Sequence, residues 1–361
     1  MATGKDLTGA LCEAVERCAA TGGSLTIVGA GSKSFLTRGV EALPADAGGQ
    51  LLSVAEHHGI VDYRPEELVL TARAGTPLRE VERVLAQAGQ HLPFEPPQFH
   101  GGGTLGGAVA AGLSGPGRPW RGALRDALLG VELLNGRGEV LRFGGQVMKN
   151  VAGYDVSRLQ AGAFGTLGLL LAVSVKVLPR PSVERTRVFE LPPAEALVCC
   201  RAWARRPYPI TATCYHRGQL RVRLSGAEAA VTQAAAQLGG DDDTSSGFWP
   251  ALRDQRLEFF AEPGLWRTSV PPAAALPAED CLVTWGGAER WWRPGDRQAA
   301  RRQAAAQGGY ARPYDGSFGV RTGAHLSGAE SRLSERLRQA FDPHRVFNRN
   351  LTSTAEADLA D

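Results

Sequence analysis

Gly101-Gly102-Gly103-Thr104-Leu105-Gly106-Gly107-Ala108-Val109-Ala110-Ala111-Gly112 is the stretch on which the fold turns. It contains G-x-G-x-x-G, the pattern of the dinucleotide-binding βαβ unit, but that fingerprint needs an apolar strand before it and a long helix after it. Pro93-Phe94-Glu95-Pro96-Pro97 stands where the strand should be, and Gly112, Gly115, Pro116 and Pro119 leave room for only a short helix. A phosphate loop of the G-x-x-x-x-G-K-[ST] kind is excluded too, since neither glycine-rich segment of the chain has that spacing. These glycines serve some other way of bringing backbone close to a ligand.

Upstream lies Leu25-Thr26-Ile27-Val28-Gly29-Ala30-Gly31-Ser32-Lys33-Ser34, an apolar strand running into a tight turn. Bare N–H groups can converge there on an anion, with the Ser32 and Ser34 hydroxyls as further donors. Charge-assisted hydrogen bonds contribute roughly 1.5–3 kcal/mol each, so several of them anchor a pyrophosphate. Taken alone, the segment reads equally well as an ordinary strand and turn.

Forty-five of the 361 residues are glycine, against roughly 7% in average usage, and they cluster. The length predicts two domains. A hydrophobic share of 43% and a charged share of 21% suit a globular chain with a full core. Forty basic against 37 acidic residues, net +3, offer no concentrated basic patch to a nucleic acid. No stretch approaches the roughly 20 apolar residues of a membrane span. Residues 1–18 lack the basic and apolar regions of a secretory signal. The six cysteines contain no C-x-x-C pair, which predicts free thiols and no iron–sulfur cluster within this chain. The expected location is cytoplasmic, or peripheral at the inner face of the cytoplasmic membrane.

The spacing predicts a helix over 6–20, with Leu7, Leu11, Val15 and Cys18 on one face, then a strand at Ser24–Val28. A strand over 67–72 and a helix over 77–88 follow, the helix striped by Leu78, Val81, Val84, Leu85 and Ala88. Strands over 127–134 and 140–143 flank Asn135-Gly136-Arg137-Gly138, a strong hairpin signal. A short helix over 155–161 leads to a strand over 169–178. Residues 1–181 are read as one domain. Residues 182–340 form a smaller α+β unit, with helices over 194–205 and 226–238, strands within 210–224 and a polar loop over 241–246. A last helix over 328–341 carries Leu333, Leu337 and Phe341 on one side, and residues 341–361 return to the first domain.

In this order and spacing, the early glycine turn, Pro93 with Gly103-Thr104-Leu105-Gly106-Gly107, Gly162-Ala163-Phe164-Gly165-Thr166-Leu167-Gly168 and Phe341-Asp342-Pro343 resemble the FAD-binding proteins of the p-cresol methylhydroxylase/vanillyl-alcohol oxidase type. Thr71-Ala72-Arg73-Ala74-Gly75-Thr76-Pro77, Leu92-Pro93-Phe94-Glu95-Pro96-Pro97, Gly112-Leu113-Ser114-Gly115-Pro116 and Val147-Met148-Lys149-Asn150-Val151-Ala152-Gly153-Tyr154-Asp155 are similar, more narrowly, to the FAD-binding E subunits of bacterial glycolate oxidase. The resemblance implies an α+β fold: an FAD-binding domain of two α+β subdomains, with a reduced α+β cap. It implies FAD, glycolate or a similar 2-hydroxy acid, and a complex with a second FAD-binding subunit and an iron–sulfur subunit. Carried onto this chain, the cofactor residues are Gly29, Ala30, Gly31, Ser32, Lys33 and Ser34 at the pyrophosphate. Pro93, Gly103, Thr104, Gly106, Gly107, Gly112 and Ser114 would lie along the flavin. Lys149 and Asn150 would reach it from a loop, and Gly165, Leu167, Gly168 and Leu170 would line its other side. Covalently flavinylated members carry a histidine in the early turn. This chain has none there, so its FAD is expected to be non-covalent.

Related hydroxy-acid dehydrogenases cluster histidines and acids around a metal in a larger second domain. The seven histidines here form no such cluster, and no metal is expected. Arg118 and Arg121, flanking Trp120, suit either a substrate carboxylate or a partner surface. Lys149 is a second catalytic candidate. His325 is the one late histidine considered as a base, a surface loop being its plainer reading. Asp155 reads as a helix cap, His57-His58 as a loop, Cys199-Cys200 as packing, and Trp285, Trp291 and Trp292 as core or interface. Two other readings stay open: a non-catalytic FAD-loaded structural subunit, and a flavoenzyme like UDP-N-acetylenolpyruvoylglucosamine reductase.

Overall fold

The computed structural model describes residues 4–37, 49–99, 102–145, 154–245, 247–315 and 328–351. Helix Thr8–Ala20 buries Leu11, Val15 and Cys18. It starts later than the apolar stripe because Asp6 accepts the Thr8 N–H at 2.9 Å. Strand Ser24–Val28 follows and pairs in parallel with Gly49–Ser53.

Next to this small unit stands an antiparallel sheet in the order Ile60–Arg64, Val69–Arg73, Leu169–Lys176, Leu128–Leu134, Val140–Gly144. Its central strand is covered on both faces. Leu170, Val173 and Val175 join the main core with Leu78, Val81 and Leu105, whereas Leu169 and Leu171 pack with Leu11, Val15 and Phe347. Double burial is why this strand reads as a near-continuous apolar run instead of an alternation. The Asn-Gly hairpin forms as expected, with Asn135 Oδ1 accepting the N–H groups of Arg137 (2.9 Å) and Glu139 (3.0 Å).

Near the chain's end, the buried Asp342 carboxylate (1% exposed) accepts the N–H groups of Val346 (2.8 Å) and Phe347 (2.9 Å). That tight turn brings the next residues onto the first strand. Leu25 N–H donates to the Val346 carbonyl (2.6 Å) and Asn348 N–H donates to the Leu25 carbonyl (2.9 Å).

The cap is a mixed-length antiparallel sheet in the order Asp241–Asp242, Val183–Glu190, Gln219–Gly226, Ile210–His216, Cys281–Thr284, Glu289–Trp292, Trp266–Ser269, Tyr310–Pro313. Helices Pro193–Trp203 and Glu228–Leu238 cover one face through Leu197, Cys200 and Val231, and Arg297–Ala306 sets Ala300 and Ala304 against Trp266 and Trp292. The opposite face presents Ala212, Cys214, Leu282 and Trp291 to Phe99, Ala111 and Leu113 of the glycine-rich half.

Two expectations need correction. Residues 241–246 do not begin as a loop. Asp241 and Asp242 pair with Val188 and Arg187, and the Arg187 guanidinium binds Asp242 and the carbonyls of Gly239 and Gly240, which offsets the poor strand tendency of aspartate. Helix Gly328–Phe341 buries none of its residues and leaves Leu333 57% exposed. Near its end the Phe341 ring meets that of Phe143 at 5.9 Å, and Glu335 accepts from Arg345 at 2.7 Å.

His57 is buried among backbone groups. Nδ1 accepts the Leu7 N–H (3.0 Å), so Nε2 donates to the Leu171 carbonyl (3.0 Å) and the ring must be neutral. Burial lowers its pKa below the ordinary 6.5, outweighing the nearby Asp6 carboxylate. As pH falls below that value the unfolded chain takes up a proton that the folded one refuses, so stability rises with pH across this window. The thermal midpoint should drop between about pH 7 and about pH 5, and His57→Gln should flatten the drop. Identical slopes in the two proteins would remove His57 from the account.

Candidate cofactor cleft

The two glycine turns, far apart in sequence, meet in space. A β-carbon at Gly29 would lie 2.7 Å from Thr104 Oγ1, and one at Gly103 would lie 3.1 Å from Lys33 Nζ and 3.3 Å from Ser32 Oγ. The second turn is seated by the Thr71–Pro77 motif. Gly106 N–H donates to the Ala74 carbonyl (2.8 Å), Leu105 N–H to the Thr76 carbonyl (2.9 Å), and Leu78 N–H to the Gly103 carbonyl (2.8 Å). Gly106 is demanded by contact, since any β-carbon there would come within 2.6 Å of that of Ala74. Thr104 caps the short helix Leu105–Ala111 by accepting the Gly107 N–H at 3.0 Å.

A third wall comes from the loop before the central strand. Gly162 N–H and Phe164 N–H donate to the carbonyls of Val109 (3.0 Å) and Ala110 (2.8 Å). Asn348 then ties this loop to the first strand: its Oδ1 accepts the Ile27 N–H (2.9 Å) and its Nδ2 donates to the Phe164 carbonyl (2.6 Å). Together these parts enclose a cleft of ≈ 160 Å³ floored by Gly29 to Ser34 and flanked by Thr104, Gly107, Phe164 and Asn348.

The donor set of the cleft fits a diphosphate. The N–H groups of Ala30, Gly31 and Ser32 have no partner among the described residues, and Gly31 holds a left-handed φ of 70° that turns the backbone toward the cleft. Lys33 adds one ammonium group, 5.7 Å above the Phe99 ring. Burial draws its pKa down to about 8, partly offset by Asp254. Ile27, Leu51 and Leu351 supply apolar wall, and Leu51 is 71% exposed in the open cleft. Such a surface suits a planar ring at one end of a phosphate ligand.

Other expected site residues are distributed more widely. Gly112, with φ 64°, packs against the backbone of Gly162, and Gly165, with φ 67°, packs against Asn348. Ser114 accepts the Leu124 N–H (3.0 Å) and faces an inner cavity beneath the cap. Pro93 and Leu167 are buried, Gly168 lies against Leu133 and Leu134, and Leu170 belongs to the main core, so none of these four lines the cleft. Arg121 is committed to Glu95 (3.0 Å) and Ser225 (2.9 Å), and Arg118 stacks on the Trp285 ring at 4.5 Å. Asp155 caps Val156–Leu159 through the Arg158 N–H. Lys149, Asn150 and His325 lie outside the described residues. No group of three or more His, Cys, Asp or Glu among the described residues is placed to hold a metal. Asn348, which closes the cleft, was not foreseen. Its only sequence signal is a position shortly after Phe341-Asp342-Pro343.

Comparison with known proteins agrees with this geometry. A family described as an FAD binding domain matches residues 8–144. The glycolate oxidase subunit GlcE of Escherichia coli (strain K12) is 44% identical over 351 residues, spanning 95% of this chain and 96% of that protein. The glycolate oxidase subunit GlcD of Bacillus subtilis (strain 168) is 31% identical over 139 residues, 38% of this chain and 29% of that protein. The D-2-hydroxyglutarate dehydrogenase of Xanthomonas citri pv. viticola is 27% identical over 48% of this chain and 36% of its own length. Among solved structures, an alkyldihydroxyacetonephosphate synthase superposes with a TM-score of 0.65 at 14% identity, over 93% of this chain and 73% of that one. That last likeness is one of fold.

Asn348→Ala would strand the Ile27 N–H and the Phe164 carbonyl at once. With each unpaired buried group costing about 1–3 kcal/mol, urea unfolding should show a loss of about 2–4 kcal/mol, together with weaker FAD retention. Unchanged stability would show that the strut is dispensable. Lys33 yields a pH signature. An ammonium that pairs with a diphosphate must be protonated, so FAD affinity should fall as pH rises through about 8. Lys33→Met should bind more weakly and lose that dependence, as read by fluorescence titration.

Proposed function

The chain belongs to the family of the glycolate oxidase subunit GlcE and carries an FAD-binding domain, and from that premise we propose that it serves as the FAD-binding subunit of a glycolate oxidase complex. In this reading it takes part in oxidising glycolate, or a similar 2-hydroxy acid, to the 2-oxo acid. Its partners are a second FAD-binding subunit and an iron–sulfur subunit that receives the electrons. The observation that carries the reading is the meeting of Gly29–Ser34 with Gly103–Gly107 in a cleft of unpartnered backbone donors, in a chain that matches GlcE along nearly its whole length.

Residues 1–181 are assigned to the FAD-binding domain, 182–340 to the cap and 341–361 to the returning segment. Bound FAD supplies a two-electron acceptor for the substrate's carbon-bound hydrogen. The chain's own part is to hold the diphosphate on the amides of Ala30, Gly31 and Ser32, to balance its charge with Lys33, and to close the site with Asn348. The early turn Gly29–Ser34 carries no histidine of the kind that covalently flavinylated relatives use, which supports non-covalent attachment. No helix among the described residues is long and apolar enough to cross a membrane, and the proposed location is cytoplasmic or peripheral. Full-length likeness to a glycolate oxidase subunit weighs against the reductase reading.

Purification of the chain with its partner subunits tests the proposal. The complex should carry flavin that acid precipitation releases from this chain, glycolate should bleach it, and Gly103→Val should abolish both its flavin and glycolate oxidation. Flavin that stays with the denatured chain would refute non-covalent binding. A complex whose flavin glycolate leaves oxidised would refute the substrate.

A further inference from the structure

The cap meets the cofactor turn through the residues that follow helix Phe248–Arg253. Asp254 Oδ1 accepts the Gln98 N–H of the glycine-rich half at 2.9 Å. Gln98 leads into Phe99, whose ring lies 5.7 Å from Lys33 Nζ and 5.2 Å from the Phe35 ring. Gln255, the next cap residue, holds a left-handed φ of 54°, a conformation that persists only where its surroundings fix it. Its side chain is hydrogen-bonded to Tyr314, whose ring meets that of Phe35 at 5.8 Å. One cap turn is thus tied to the segment beneath Lys33 and, through Tyr314, to the residue two places after it.

The charges on the elements packed here are few. Arg253, Asp254 and Arg256 stand on the cap turn and Glu82 on helix Leu78–Gln87, whereas Gln98–Gly103 adds none among its described residues. Arg253 is shared between Asp254, at 2.8 and 2.9 Å, and Glu82, at 3.6 Å. One cation serves two carboxylates, so this trio is left with one negative charge. Arg256 is 3.9 Å from Asp254 and exposed, where solvent screens it. No carboxylate among the described residues is within ion-pair distance of Lys33, so Asp254 acts on it through space. Burial lowers the Lys33 pKa to about 8, and Asp254 works against that loss of the proton.

Resting on the FAD-binding reading, we propose that Asp254 of the cap is a positioning residue of the cofactor site. It anchors the Gln98–Phe99 segment beneath Lys33 and serves as counter-charge to its ammonium, so that FAD retention and seating of the cap depend on each other. That dependence is reciprocal, as any coupling between two binding events must be.

FAD titrated into the flavin-stripped full-length chain across a pH series tests this, read by flavin fluorescence. The parent chain should bind more weakly as pH rises through about 8, where the free ammonium loses its proton. Asp254→Asn keeps an acceptor for the Gln98 N–H but removes the charge, so the weakening should set in at lower pH. Asp254 lines an open pocket of ≈ 540 Å³, and replacing it leaves no void in a core. Asp254→Ala drops the acceptor as well and should weaken FAD about tenfold even at about pH 6.5. In a Lys33→Met chain, Asp254→Asn should find no pH dependence left to move. The parent supplies a measurement that needs no variant: FAD should slow hydrogen exchange at the Gln98 amide and over residues 253–256. Weakening that sets in at the same pH in the parent and in Asp254→Asn, or exchange unaltered by FAD, overturns the proposal and leaves the FAD reading standing. A parent chain that takes up no FAD at any pH sinks both.

Discussion

The separation between Gly29 and Thr104, too small for a β-carbon, is the constraint on which the cofactor cleft depends. Strand Ser24–Val28 delivers the first turn and the Thr71–Pro77 segment delivers the second. The second cannot shift without breaking backbone hydrogen bonds that join it to Ala74, Thr76 and Leu78, and the first cannot shift without breaking those that join its strand to Val346, Asn348 and Val54. Asn348 then braces the open side, spending both ends of its amide on backbone groups from two other segments. The result is a rigid rim around N–H groups that have no internal partner. Unpartnered donors held in fixed positions are what an anionic ligand finds already organised, so little ordering cost remains at binding.

A second joint fixes the cap above this rim. Glu95, held at a left-handed φ of 45°, accepts the Gly117 N–H (2.8 Å), Arg121 Nη1 (3.0 Å) and Arg223 Nη2 (2.6 Å). Arg223 stands on cap strand Gln219–Gly226, and Arg121 continues to Ser225 on the same strand. One carboxylate therefore joins the proline-rich turn, the segment after Gly112 and the cap. Losing one partner of a buried charge pair typically costs about 3–5 kcal/mol, so the joint resists opening. Trp285 adds a hydrogen bond from Nε1 to the Gly115 carbonyl (3.0 Å). The tryptophans at 285, 291 and 292 are all buried, as packing in and against the cap requires.

The electrostatics of the two spaces differ in kind. In the cleft, positive potential comes from backbone N–H dipoles and one half-buried ammonium whose proton is loosely held. Beneath the cap it comes from guanidinium groups, which stay charged at any working pH. Burial lowers the pKa of Arg118, and Arg267 lowers it further, as expected of two cations sharing a desolvated region. The first arrangement suits a diphosphate held along the backbone.

Both glycine turns, the Asn-Gly hairpin and most helices and strands were legible in the sequence, because turn chemistry and the 2.0- and 3.6-residue periods act over a few neighbours, whereas the fold class came from the resemblance of the glycine motifs to a known family. The exclusion of a Rossmann unit also needed only Pro93 to Pro97 and the glycines after Ala111. Which residues share a site was decided elsewhere. Asn348 meets Ile27 only because Asp342 turns the chain back, Leu170 faces the core only because of its register against Leu133, and Arg267 finds Glu289 only through pairing within the cap sheet. Side-chain direction on a paired strand depends on register and on what covers each face. Those are properties of distant segments, and no local pattern carries them.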